Sequence, residues 1–190
     1  QSGFFLSLNR GKKSVTLDLK QRKAREIALE LIEWADVVVE NFSPGTMTHL
    51  GLDYDAAKAR NEGIIYASLS GYGQSGPNSR LPSYDLCVQA MSGLMAQNGY
   101  PDKAPCRMGV SMADYVSGII LAMGVIGALY HRAQTGKGQF VDVSMFDSSL
   151  SILENSLVRY DMTGEVAGPV GSRHPAASPH NVYPTADGYI

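Results

Sequence analysis

Residues 14 to 19 (Ser14-Val15-Thr16-Leu17-Asp18-Leu19) alternate polar and apolar side chains, the period of a half-buried strand. From Gln21 the period lengthens. Ala24, Ile27, Leu31 and Trp34 recur at helical spacing while Arg25, Glu26, Glu30 and Glu33 fall on other faces, which predicts an amphipathic helix. Val37-Val38-Val39 is a short β-branched run of the kind buried on both faces of a parallel sheet. Asn41 to Gly45 breaks it, a helical region follows to about Asn61, and Gly63 leads into a second buried strand over Ile64 to Leu69. Residues 70 to 84 are a glycine- and proline-punctuated loop, followed by a helix from about Tyr84 to Gln97 and an irregular stretch to Arg107. Beyond a long apolar helix and a Thr135–Gln139 turn, Phe140 to Val143 reads as a strand and Ser144 to Met162 as a helix.

Strands alternating with helices predict an α/β fold, with a mostly parallel sheet flanked by helices. The longest uncharged stretch, Tyr115 to Tyr130, lies between Asp114 and His131 and carries Gly118, Gly124 and Gly127. It is shorter than the ~20 apolar residues a bilayer requires, so it predicts a buried core helix that a neighbour can approach closely.

Composition narrows the class. A chain of 190 residues suits one domain, or a piece of something larger, and buries roughly 70% of its unfolded surface. Hydrophobic residues at 44% and charged residues at 18% exclude intrinsic disorder. Sixteen basic against eighteen acidic residues leave a formal charge of −2, so no global field attracts nucleic acid or an anionic membrane. Cys87 and Cys106 are too few for a disulfide framework and read as reduced thiols, which predicts a cytoplasmic protein. The chain opens on Gln1-Ser2-Gly3-Phe4-Phe5 and closes on Asp187-Gly188-Tyr189-Ile190, a turn running into a strand, so both ends are expected to cut through structure.

Several motifs invite chemistry that their surroundings do not support. Gly71-Tyr72-Gly73-Gln74-Ser75-Gly76 has the dinucleotide-binding glycine spacing and follows a strand, but Pro77 and Pro82 keep the chain in a loop where a helix should open. Gly136-Lys137-Gly138 lacks the remaining residues of a phosphate loop and reads as a helix-ending turn. Asn41-Phe42-Ser43 is formally a glycosylation acceptor, but Pro44 and the reduced-thiol context argue against that use. His174 and His180 have no cysteine or acidic partner at ligand spacing, so no metal is expected. Asp114 is different, since it is nearly the sole charge around the start of the apolar helix. Two readings stand: a first-turn carboxylate compensating the helix dipole, or a nucleophile in a partly desolvated pocket.

Taken in order, the motifs resemble one family, the class III coenzyme A transferases of the formyl-CoA and carnitine type. The resemblance is carried by Asn9-Arg10-Gly11-Lys12-Lys13-Ser14, Ala35-Asp36-Val37-Val38-Val39-Glu40-Asn41-Phe42-Ser43-Pro44-Gly45 and Ser70 to Pro77. Tyr84-Asp85, Asp114 and Arg132 to Gln139 continue it. The resemblance implies a Rossmann-like large domain over residues 1–162, a linker or active-site loop over 163–178, and the start of a smaller domain over 179–190. It implies interlaced homodimers of a longer chain, coenzyme A and acyl-CoA as substrates, and no permanently bound cofactor. Asp114 matches the catalytic aspartate, which forms an acyl anhydride and then an aspartyl-CoA thioester before a carboxylate collects the CoA. Coenzyme A contacts map onto Asn9, Arg10, Gly11, Lys12, Asn41, Phe42, Ser43, His49, Tyr84 and Asp85. His49 stands where formyl-CoA transferase has a basic phosphate contact, and Gly171 to Pro175 stands near the family's mobile glycine loop with fewer glycines. A 2-methylacyl-CoA racemase shares the fold but needs a histidine before the aspartate, where this chain has Tyr84 before Asp85. A non-catalytic acyl-CoA-binding module is the remaining alternative.

Overall fold

The computed structural model describes residues 2–190. Two short β-branched runs and a third strand form a parallel sheet: β1 (Val37–Glu40), β2 (Ile65–Ser70) and β3 (Gln139–Ser144), in the order β1-β2-β3. Val37 pairs with Ile65, and Ile65 with Gln139, so the strands start and end nearly level. Parallel neighbours need crossovers, and helices supply them. Between β1 and β2 lie α3 (Thr46–Leu50) and α4 (Tyr54–Arg60). Between β2 and β3 lie α5 (Asp85–Met91), α6 (Leu94–Gln97) and the 24-residue α7 (Met112–Thr135). The chain begins with α1 (Gly3–Leu8) and α2 (Arg22–Trp34), and continues past β3 with α8 (Met145–Leu150) and α9 (Ser156–Thr163).

Alternation along β2 divides the core. Ile64 and Tyr66 face α2, α3 and α4, packing with Ile32, Leu52 and Ala57. Ala67 and its register partner Val141 face α7, where Leu121, Ile120 and Val125 complete a second cluster. The Tyr66 hydroxyl donates to Leu52 O at 2.8 Å, and burial, then the charges of Glu40 and Asp53, push the phenol pKa up, so it stays neutral. At Gly124 α7 packs closely on the sheet, since a Cβ there would press on Val141. A Cβ on Gly138 would collide with the Ile64 carbonyl, and its N–H donates to Glu62 O at 2.9 Å. That accounts for Gly136-Lys137-Gly138 without any phosphate: Gly136 ends α7 with φ +74°, and Gly138 enters β3 against β2.

The α/β architecture follows the sequence pattern, but several details differ. Residues 14–19 form no strand: they run irregularly and mostly exposed, without a neighbouring chain segment to pair with among the described residues. Helix α2 buries Ile32, with Ala28 and Leu29 against the same cluster, while Leu31 is largely exposed and Trp34 is 86% exposed. Its packed face is therefore rotated from the Ile27–Leu31–Trp34 stripe that the sequence singles out. Val39 is 62% exposed because α7, which covers its register partner Ala67, packs on β2 and β3, so the Val37–Val39 run is not buried on both faces. The expected helix from Tyr84 is divided at Gly93, whose φ of +89° starts α6. The one from Ser144 is interrupted between α8 and α9, with Glu154 at φ +50°.

Helix α7 shows the largest difference. It is longer than its uncharged stretch, and it is not buried all round. Ala113, Ser117, Leu121 and Ala128 face inward, while Tyr115, Ile119, Met123, Ile126 and Tyr130 form a continuous exposed stripe. Among the described residues it is also the one helix long and apolar enough to cross a membrane by length and composition. The inward face packs on β2, β3, α5 and α8.

Candidate active site

All three strands end at one edge of the sheet, the edge at which open parallel sheets bind ligands. Glu40 closes β1 as a buried carboxylate, and it accepts the Phe42 N–H at 2.8 Å. The Asn41 amide donates to Leu69 O, and Gly45, at φ +86°, turns the chain into α3. This network sets Asn41, Phe42 and Ser43 along the rim, exposed.

The loop after β2 is pinned at its base. Gly71 O accepts from Phe146 N at 3.0 Å, and Gln74 N donates to Asp142 Oδ2 at 2.9 Å. A side chain at Gly71 would collide with Ser83 across the loop. Gly73 and Gly76 take φ of +81° and +94°, turn conformations, and the next helix opens only at Asp85. The glycine pattern thus closes a loop on itself and leaves no helix terminus to hold a dinucleotide.

Helix α7 is capped from a distance. Its own Ser111 makes no side-chain cap. Asp85 instead accepts from Ala113 N at 2.9 Å and Asp114 N at 3.4 Å through Oδ1. Its Oδ2 accepts from Gln89 Nε2 at 2.7 Å. Gln89 is fully buried, and its Oε1 accepts from Met108 N at 2.9 Å, which ties the approach to α7 into the same network. Asp85 therefore does the capping that the sequence leaves open for Asp114.

The Asp114 carboxylate accepts no hydrogen bond among the described residues, while its backbone N–H and C=O are engaged by Asp85 and Ser117. Partial burial, and after it the Asp85 charge, raise its pKa above the ordinary aspartate value. It faces a cavity of about 520 Å³ together with Asn41, Phe42, Ser43, Tyr84 and Asp85. Six of the sequence-derived site residues thus meet in one place.

The others lie elsewhere. His49 lines an adjoining cavity of about 760 Å³ that shares Ser43 and Pro44 with the first. Arg80, which the sequence reading passed over, is exposed in that second cavity. Asn9, Arg10, Gly11 and Lys12 follow α1 and line neither cavity, with the Asn9 amide donating back to Phe5 O at 3.0 Å. On another side of Asp114, Phe4 and Leu8 of α1 face Tyr115 and Ile119 across an apolar cavity of about 410 Å³. Gly171 to Pro175 does not border the Asp114 cavity: Gly171 N donates to Gly99 O at 2.9 Å and sits beneath the Tyr100 ring. His174 and His180 stack with centroids 4.9 Å apart, without an acidic or cysteine neighbour completing a metal cluster among the described residues.

Gln89 and Ser83 also escaped the sequence reading, and Ser70 entered it only as the first residue of a motif, with no site role. Gln89 stands four residues after Asp85 on one helix, a spacing that could have flagged it. Nothing local marks the two serines.

The sequence matches the profile of CoA-transferase family III over residues 1–190. It is 45% identical over 188 residues to acetyl-CoA:oxalate CoA-transferase of Acetobacter aceti, covering 98% of this chain and 48% of that protein. It is 39% identical to succinyl-CoA:mesaconate CoA-transferase of Haloarcula hispanica, covering 99% and 48%. Among solved structures, a CAIB/BAIF family protein from Brucella suis superposes with a TM-score of 0.86 at 38% identity, covering 94% of this chain and 47% of that one. The chain spans about half the length of the curated relatives it matches.

Proposed function

The chain belongs to CoA-transferase family III, and from that premise we propose that the complete protein moves coenzyme A from an acyl-CoA to a free carboxylic acid, with Asp114 as the nucleophile. The observation that carries this is a carboxylate without hydrogen bonds among the described residues, facing a cavity rimmed by Asn41, Phe42, Ser43 and Tyr84, on a helix that another carboxylate caps. A carboxylate solvated by water or tied up as a cap is a poor nucleophile, and Asp114 is neither fully solvated nor the cap.

The proposed steps balance without a proton. An Asp114 oxygen attacks the thioester carbonyl carbon, the C–S bond breaks, and CoA leaves as thiolate. The thiolate then attacks the Asp114 carbonyl carbon of the mixed anhydride, releasing the donor carboxylate and leaving an aspartyl-CoA thioester. The acceptor carboxylate attacks that thioester, and the returning thiolate attacks the acceptor acyl carbon and frees Asp114. Since no proton moves, no general base is required, in keeping with a cavity that histidine does not line. A racemase would need an acid/base on each face of the α-carbon, and Asp85 is occupied by Ala113 N, Asp114 N and Gln89. Dicarboxylates are the proposed acceptor class, because the relatives are named for oxalate and mesaconate.

The nucleotide end is assigned to the His49 cavity and the basic Asn9–Lys12 segment, with Arg10 and Lys12 as phosphate partners. The proposal extends to a cytoplasmic, interlaced homodimer, with residues 1–162 in the large domain, 163–178 as linker or active-site loop, and 179–190 beginning the smaller one. The exposed apolar stripe of α7 supports an assembly that covers it.

Trapping tests the chemistry. Incubating the complete protein with acyl-CoA and hydroxylamine should convert Asp114 to a hydroxamate, which peptide mass spectrometry reads directly. Exchange of the α-proton of a 2-methylacyl-CoA with deuterated water, with no adduct at Asp114, would overturn the proposal in favour of racemisation.

A further inference from the structure

Four buried side-chain polar atoms lack a hydrogen-bond partner among the described residues, and two of them, the hydroxyls of Ser70 and Ser83, belong to residues lining the Asp114 cavity. A buried hydroxyl without a partner is costly, so native structures rarely keep one without a use. Ser70 is the last residue of β2 and only 4% exposed. The strand pairs it with Ser144, whose hydroxyl oxygen accepts the Asp147 N–H at 3.1 Å as the cap of α8 and makes no bond to Ser70. Ser83 lies across the loop, against Gly71. Two residues later comes Asp85, whose carboxylate holds the Asp114 N–H. Both residues thus line the wall that also includes Asp114, placed by a strand end and a pinned loop, with their hydroxyls just beneath its surface.

We propose that Ser70, assisted by Ser83, donates to the acyl oxygen that becomes negatively charged when Asp114 attacks the thioester. This rests on the transferase reading above and adds the donors that reading leaves unassigned. Every step passes through a tetrahedral oxyanion, and no carboxylate, including Asp114 and Asp85, can stabilise one while ionised. A neutral hydroxyl can, and one already desolvated and unbonded breaks no existing hydrogen bond when it donates. The arrangement also accounts for the missing partners, since the bond each hydroxyl lacks is the one the reacting oxygen supplies.

The test uses Ser70→Ala and Ser83→Ala in the complete protein. Ser70→Ala should lower kcat roughly 10- to 100-fold with KM for acyl-CoA nearly unchanged, because the bond forms only in the transition state. Ser83→Ala should act in the same direction with a smaller effect. The melting temperature of Ser70→Ala should equal or exceed that of the wild type, since the change removes an unsatisfied polar group. A kcat above about half the wild-type value would overturn the proposal. So would a marked loss of stability or a failure to fold, which would show the hydroxyl bonded within the fold. If the wild type itself gives neither transfer nor an Asp114 hydroxamate, the transferase reading fails, an outcome separable from a fully active Ser70→Ala.

Discussion

The two ends of α7 carry one charged side chain each, and the fold treats them in opposite ways. Near the C-terminus Arg132 is bonded three times: its guanidinium donates to Asp36 Oδ1 at 2.9 Å, Asp36 O at 3.2 Å and Gly63 O at 3.1 Å. Those bonds tie the helix to the entrances of β1 and β2. Near the N-terminus the Asp114 carboxylate accepts no hydrogen bond among the described residues, while Asp85 carries the capping. The motif that includes Arg132 is as much a part of the family resemblance as Asp114, yet only one of the two is free to react. A charge bonded to several fixed partners holds structure, and a charge held in place through its backbone alone is left for chemistry.

Removing each charge should separate the two roles. Asp114→Ala is expected to lower transfer by roughly 10³-fold or more while the far-ultraviolet dichroism stays native. Turnover above a few per cent of wild type would break the contrast. Arg132→Ala should do the reverse, lowering unfolding stability by about 1–3 kcal/mol in a denaturant titration while the folded fraction keeps its turnover. The discount toward the lower figure follows from the largely exposed Asp36 partner.

Subtler changes sharpen the comparison through pH. Asp85→Asn keeps an acceptor for the α7 N–H groups but removes the like charge that, after burial, raises the Asp114 pKa. The acid limb of the pH–rate profile should therefore move to lower pH, and a limb that stays fixed would leave burial as the sole cause. The smallest effect concerns stability. A carboxyl whose pKa is raised on folding contributes stability below its unfolded pKa and loses it as pH climbs through the folded one. Asp114→Asn should thus be slightly more stable than wild type at neutral pH, and the gap should close on acidification through the carboxylate range. Thermal melts across that range measure it.

Much of this arrangement is legible in the chain, and the limits have physical causes. The runs around Val38, Ile65 and Val141 are strands because β-branched residues suit a pleated, covered surface. The uncharged run at Tyr115–Tyr130 is helix because nothing in it stops one. Asp114, Asn41, Phe42, Ser43, Tyr84 and Asp85 could be named as a set from their motifs, and the cavity gathers all six. The capping role of Asp85 was not legible, since a cap 28 residues from its helix leaves no local spacing to read.

What the sequence by itself determined about this protein is therefore local: the period of each element, the turns that glycines permit, and an aspartate isolated before an apolar run. Only the tertiary structure decided which stripe of α2 and α7 is covered, because periodicity marks an apolar face without saying whether anything packs on it. It also decided that, among the described residues, Ser14–Leu19 stays unpaired, that Asp85 rather than Asp114 caps α7, and that Ser70 keeps an unbonded hydroxyl in the cavity that Asp114 lines. Each of these depends on which segment arrives next to another, and backbone and side-chain polar groups bond with whatever neighbour the fold supplies.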